Sequence, residues 1–309
     1  MTRWRMGLMA GAALGVVACG ERATEPVAVA TATWAPPPDS AIPDGPLGTA
    51  IRRGRALMID THDSLPEYAT SSLNCTSCHL DGGRRANAAP LTGVYARFPA
   101  YLPRAGAVVS IEDRVNYCFT RSLGGNRLPS DSREMQDMIA YLAFLSHGAP
   151  TGGPAPAHAI EAIPVMQPDP AAGKVVYATM CAPCHGENGA GGGPGSTMPR
   201  APALWGAASY SIGASMARVE RAAAFIRHNM PFATPGTLTD QQAWDVAAYI
   251  DAQPRPDMPG KDADWPSGGA PDDVPYSTAG RSVSKTPPLL PRATPERALV
   301  PPPPSVRPR

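Results

Sequence analysis

The sequence has little charge of either sign to spare: 27 Lys and Arg stand against 26 Asp and Glu in 309 residues. That balance offers no electrostatic case for nucleic acid or for an acidic partner surface. Aromatic residues are scarce, at 6%, which is thin for cores built from side chains alone. No stretch alternates apolar and polar residues convincingly, so a sheet-built core is excluded and the fold class is all-α. Long apolar runs are also missing. Met6 to Ala18 is too short to span a bilayer. Proline is abundant, with 38 residues clustered at linkers and in the tail. Such stretches cannot bury enough apolar surface to offset their ordering entropy.

Arg3 and Arg5 precede the apolar run, so residues 1–19 read as an export signal. It ends in Val16-Val17-Ala18-Cys19, which resembles the lipobox of bacterial lipoproteins. The expectation is a periplasmic protein that meets the membrane only through a lipid on Cys19. Composition then divides the chain into a flexible tether (20–45), a first domain (46–148), a Gly/Pro linker (149–164), a second domain (165–254) and a Pro-rich, largely irregular extension (255–309).

The two domains repeat one plan. Each opens with a helix, near 47–60 and 169–181, followed by Cys-x-x-Cys-His, a long loop, a second helix and a terminal helix. In the first domain, Ser110-Ile-Glu-Asp113 reads as a capping box starting the second helix. The terminal helix, about 132–146, places Met135, Met138, Ile139, Leu142 and Leu145 at spacings of three and four. In the second domain, helices are expected over 214–229, stopped by Pro231, and over 239–252, capped by Thr239.

Cys-x-x-Cys-His is a haem-attachment signature. Cys75 and Cys78 supply one pair of thioethers, with His79 as proximal iron ligand. Cys181, Cys184 and His185 supply the second set. Two copies behind an export signal leave little room for zinc or dithiol chemistry. The chain thus carries two covalently bound haem c groups, and a haem is also the apolar plate that a domain of about a hundred residues needs as a core.

For the sixth ligand of the second haem the candidate is Met230, 45 residues after His185 at the end of a helix. His228, Met198 and Met216 are its rivals. The first domain has Cys118 in the matching place, 39 residues after His79. Of six Cys, four attach haem and Cys19 ends the signal, so Cys118 has no partner. It is either a buried small residue or a thiolate ligand of the first haem. On a regular helix, Arg114, Arg121 and Ser122 share its face, which would suit a small oxyanion. Arg104 and Arg127 lie nearby in sequence. Haem propionates are the competing partners of these arginines.

Cys75-x-x-Cys78-His79, Phe98-Pro-Ala-Tyr101, Arg114-x-x-x-Cys118-x-x-Arg121-Ser122, Glu134-Met135, Leu204-Trp205-Gly206, Asn229-Met230-Pro231 and Asp264-Trp265-Pro266 together resemble the thiosulfate dehydrogenases. The resemblance spans about residues 46–276. It implies oxidation of two thiosulfates to tetrathionate, with electrons passing to a cytochrome or other acceptor. It also implies His79/Cys118 ligation at a catalytic first haem, with Arg104, Arg114 and Ser122 around the substrate, and His185/Met230 ligation at an exit haem. Some members place Lys before the Met and switch ligands; Asn229 stands there in this sequence. A non-catalytic electron-transfer cytochrome, or the same site working as a tetrathionate reductase, are the alternatives.

Overall fold

A computed structural model describes residues 34–151, 160–192, 198 and 201–280. These belong to one compact unit that begins at Trp34. The export signal, Cys19 and the chain after 280 lie outside the described residues. None of the described helices is long and apolar enough to cross a membrane.

The first domain is built on α1 (Gly45–Ile59), α2 (Ile111–Tyr117) and α3 (Arg133–Phe144). Ser132 caps α3 by accepting from the Met135 amide. At α2 the expected box is one-sided. Ser110 Oγ accepts from the Asp113 amide at 3.1 Å, while the Asp113 carboxylate pairs outward with Arg127 instead. The second domain uses α4 (Pro170–Val176), α5 (Val219–Asn229) and α6 (Asp240–Asp251). Thr239 and Gln242 form a complete capping box on α6. The predicted helix 169–181 is interrupted, because residues 177–181 widen into a π-turn before the turn Ala182–His185.

Both domains cross their first and last helices in the same way. A Cβ on Gly54 would meet the Asp137 carbonyl oxygen at 1.9 Å, and one on Gly173 would meet that of Asp245 at 2.0 Å. Only glycine lets the two backbones approach so closely. The crossing buries Ile51 and Met58 against Met135, Met138 and Leu142 in the first domain, and Tyr177 against Trp244 and Ala247 in the second.

Three further features depart from the expectations. Ala100–Leu102 (β1) and Ala107–Val109 (β2) pair as an antiparallel hairpin, with Tyr101 opposite Val108. Strands of three residues are too short to show a period. Residues 34–44, assigned by composition to the tether, lie along the first domain: Trp34 Nε1 donates to the His147 carbonyl at 3.0 Å, and Arg84 pairs with Asp39 at 2.7 Å. Residues 255–280 are irregular apart from the turn Lys261–Ala263, yet they are packed. Met258, Trp265, Val274 and Tyr276 are buried. Asp273 accepts from the Arg218 guanidinium at 2.7 Å and from the Glu220 amide at 3.2 Å, which closes the start of α5. A few well-placed apolar side chains anchor a segment whose proline content alone suggested none.

Candidate functional site

Each Cys-x-x-Cys-His motif occupies a tight turn that aims its histidine. Around the first, the Asn74 and Ser77 side chains cap each other's backbone. Thr61 Oγ1 donates to Cys75 Sγ at 3.3 Å. His79 Nδ1 hydrogen-bonds to the Ala89 carbonyl, and His185 Nδ1 to the Pro202 carbonyl at 2.9 Å. A carbonyl can only accept, so in both rings Nδ1 is the donor, which leaves Nε2 as the nitrogen available to a metal. Burial lowers the His185 pKa, although the bond to the Pro202 carbonyl opposes this, and so favours the neutral ring over the charged one. Two Cys and an adjacent His with Nε2 free, once in each domain, fit a covalently held haem c with a proximal imidazole.

Cys118 begins a π-turn, Cys118–Ser122, in which the Leu123 amide donates to the Cys118 carbonyl at 2.9 Å. Its thiol lies close enough to the His79 ring to feel it electrostatically. Arg114 Nη1 donates to Sγ at 3.4 Å. Burial raises the Cys118 pKa, but the Arg114 charge and the His79 ring outweigh it and bring the thiol down to about 6. At Cys75 and Cys78 burial wins and pushes the thiols up to about 12. The sulfur opposite His79 is therefore electrostatically prepared to be a thiolate, as a metal ligand or nucleophile must be.

The arginines divide differently from the regular-helix expectation. Arg114, four residues before Cys118, touches the sulfur. Arg121 does not. The π-turn winds more loosely than an α-helix, so the residue three beyond Cys118 rotates off its face. Arg121 instead grips Asp264 in a two-pronged pair at 2.6 and 2.7 Å, with its guanidinium 5.2 Å over the Tyr117 ring. Arg104 joins the same carboxylate at 2.9 Å, donates to the Gly213 carbonyl at 2.7 Å and to the Tyr276 hydroxyl, and lies 4.8 Å over Trp265. Arg127 pairs with Asp113 near the surface. Ser122 is half-buried on the π-turn. Asp264 went unassigned in the sequence, although it opens the Asp264-Trp265-Pro266 motif.

In the second domain α5 ends at Asn229, and Met230 continues in extended conformation. Its side chain packs against the second domain's core cluster, which holds Tyr177, Ile226 and Trp244, and against the cluster of Leu80, Ala88 and Phe225. Met216 packs in the same two clusters and stays a rival ligand. His228 points elsewhere, with Nε2 3.0 Å from the Glu161 carbonyl.

Family models match both domains: a SoxA/TsdA cytochrome c domain over residues 67–151, and cytochrome c over residues 170–253. The chain is 42% identical over 228 residues to a thiosulfate dehydrogenase of Stutzerimonas stutzeri, covering 72% of this chain and 73% of that one. It is 40% identical over 249 residues to a thiosulfate dehydrogenase of Allochromatium vinosum, covering 79% and 90%. Among solved structures it resembles the thiosulfate dehydrogenase TsdBA of Marichromatium purpuratum, with TM-score 0.68 at 34% identity. That match covers 84% of this chain and 60% of the other.

Proposed function

The chain belongs to the thiosulfate dehydrogenase family, and on that premise we propose that it joins two thiosulfates into tetrathionate at Cys118. The observation that carries the reading is the Cys118 sulfur set between the His79 ring and Arg114, with its thiol brought down to about 6. His79 and Cys118 would hold one haem c, and His185 and Met230 the other. When bound, the two groups supply one-electron capacity each, matching the two electrons that sulfur coupling releases, with the thiolate-ligated member at the lower potential.

In this scheme the Cys118 thiolate forms an S–S bond to the outer sulfur of one thiosulfate, and two electrons leave. A second thiosulfate attacks that outer sulfur. Its own outer sulfur forms the central bond of tetrathionate, the bond to Cys118 breaks, and the thiolate returns. No proton is gained or lost. Arg114 offsets sulfonate charge, which otherwise drives two dianions apart. Arg104 and Arg121 share the single carboxylate of Asp264, so the trio adds one net positive charge nearby. Arg104 and Ser122 complete the surroundings of the substrate. The electrons pass to a cytochrome or other acceptor in the periplasm, where a lipid on Cys19 anchors the protein.

Thiosulfate oxidation followed with an artificial electron acceptor tests the reading. Cys118→Gly should keep both haems and lose turnover by several orders of magnitude, as removal of a covalent nucleophile does. Arg114→Ala should chiefly raise KM. Near wild-type turnover in Cys118→Gly would reduce Cys118 to packing and favour a simple electron carrier.

A further inference from the structure

The loop that orients His79 is also the surface on which the Met230 turn is seated. The Ala89 carbonyl accepts from His79 Nδ1. Two residues earlier, the Asn87 carbonyl accepts from Asn229 Nδ2 at 2.7 Å. Asn229 immediately precedes Met230, and the same Nδ2 donates to the Phe225 carbonyl one helical turn back at 3.0 Å. Asn229 is 1% exposed, so its amide is shielded from water; the bond to Phe225 is buried and the one to Asn87 partly so. Other contacts converge on the seam. Leu80 and Ala88 of the first domain pack with Phe225 of the second. The Arg85 guanidinium lies 4.8 Å over the Phe232 ring.

We propose that Asn229 is a positioning residue that locks the two redox sites together, one buried side chain tying the turn that presents Met230 to the loop that fixes the His79 ring. The inference rests on the ligand assignments above, His79 for the first site and Met230 for the second. Between those ligands the connection is two hydrogen bonds and the backbone from Asn87 to Ala89. Moving either loop pulls the Asn87 carbonyl away from Asn229 and leaves its buried amide N–H without an acceptor, an outcome costlier than the net strength of the bond. A displacement of Met230 is therefore felt at His79, and the reverse.

Asn229→Ser in the full-length holoprotein separates the two bonds. A serine hydroxyl in a helix can still reach the carbonyl four residues back, here that of Phe225, but it is too short to span to Asn87. The near-infrared sulfur-to-iron band of the ferric His/Met haem should weaken. The electron paramagnetic resonance signature of the thiolate-ligated haem should shift in the same variant. His228→Ala, which cuts the neighbouring contact to the Glu161 carbonyl, should leave both unchanged. A change at the Met230 site with the first-site signature unmoved would overturn the inference alone. A wild-type protein lacking the band would overturn the Met230 assignment and the inference with it. Amide hydrogen exchange on the wild-type holoprotein gives an answer that does not depend on the variant folding. Segments 85–89 and 225–229 should lose protection together under mild denaturant; opening at separate denaturant concentrations would refute the lock.

Discussion

Replacing Asp264 with Asn should cost the folded protein about 3 kcal/mol. The carboxylate is 3% exposed and takes donors from Arg121, with a side chain 14% exposed, and Arg104, 20% exposed. The Tyr276 hydroxyl donates to it as well, at 2.6 Å. An amide of the same shape keeps one acceptor oxygen and turns an NH₂ toward a guanidinium, so one arm of the Arg121 pair becomes donor against donor. Removing one partner of a buried ion pair costs about 3–5 kcal/mol, and the lower end applies because both arginines keep some water. For a protein of this size that is a fall in Tm of roughly 6–12 °C, read by far-ultraviolet circular dichroism on the holoprotein. The control is Asp257→Asn. Asp257 pairs with Lys261 at 2.7 Å but is 71% exposed, so its loss should cost less than about 1 kcal/mol. The pH dependence has a definite sign. Burial raises the Asp264 pKa, but Arg121, Tyr276 and Arg104 hold it below its ordinary value of 3.8. A depressed carboxylate contributes stability that is fully present above the ordinary value and is lost as pH falls through the folded one. The gap between wild type and Asp264→Asn should thus hold steady through neutral and mildly acidic pH and close only in strong acid. A Tm fall no larger than that of Asp257→Asn, or a gap that widens on acidification, would refute this account of the cluster.

Gly173→Ala should deplete folded holoprotein, since its Cβ would lie 2.0 Å from the Asp245 carbonyl oxygen and neither backbone can yield without opening the α4–α6 crossing. Haem content per chain and Tm measure it, and a variant with normal values would show that the crossing is looser than described. Met230→Gly should abolish the near-infrared band and lower the potential of the second haem, because thioether ligation raises it. If the band persists, Met198 or Met216 is the ligand.

Some of this protein is legible from local sequence because its chemistry is local. Two thioethers and an adjacent imidazole need a fixed short spacing, so Cys75-x-x-Cys78-His79 and Cys181-x-x-Cys184-His185 declare themselves wherever they stand. Caps behave likewise. Thr239 and Ser110 bond to amides three residues on, and no distant part of the chain alters that. Cys118 emerged by elimination, a matter of counting cysteines. Its neighbour Arg114 followed from a helical spacing that the structure keeps.

What the sequence could not decide was which of several cations meets which anion. Arg121 stands three residues from Cys118, and only the loose π-turn and the position of Asp264, 143 residues away, direct it elsewhere. Asn229 reads as a mere variation beside a ligand until the fold brings Asn87 to within 2.7 Å of it. Gly54 and Gly173 sit in their helices as ordinary weak helix formers until another backbone crosses at contact distance. Side-chain chemistry is a property of single residues and short spacings, so sequence alone located the two haem-attachment motifs and singled out Cys118 as the cysteine without a partner. Partner choice depends on how segments more than a hundred residues apart are brought together by burial of the apolar faces they share, and that was settled only in the tertiary structure.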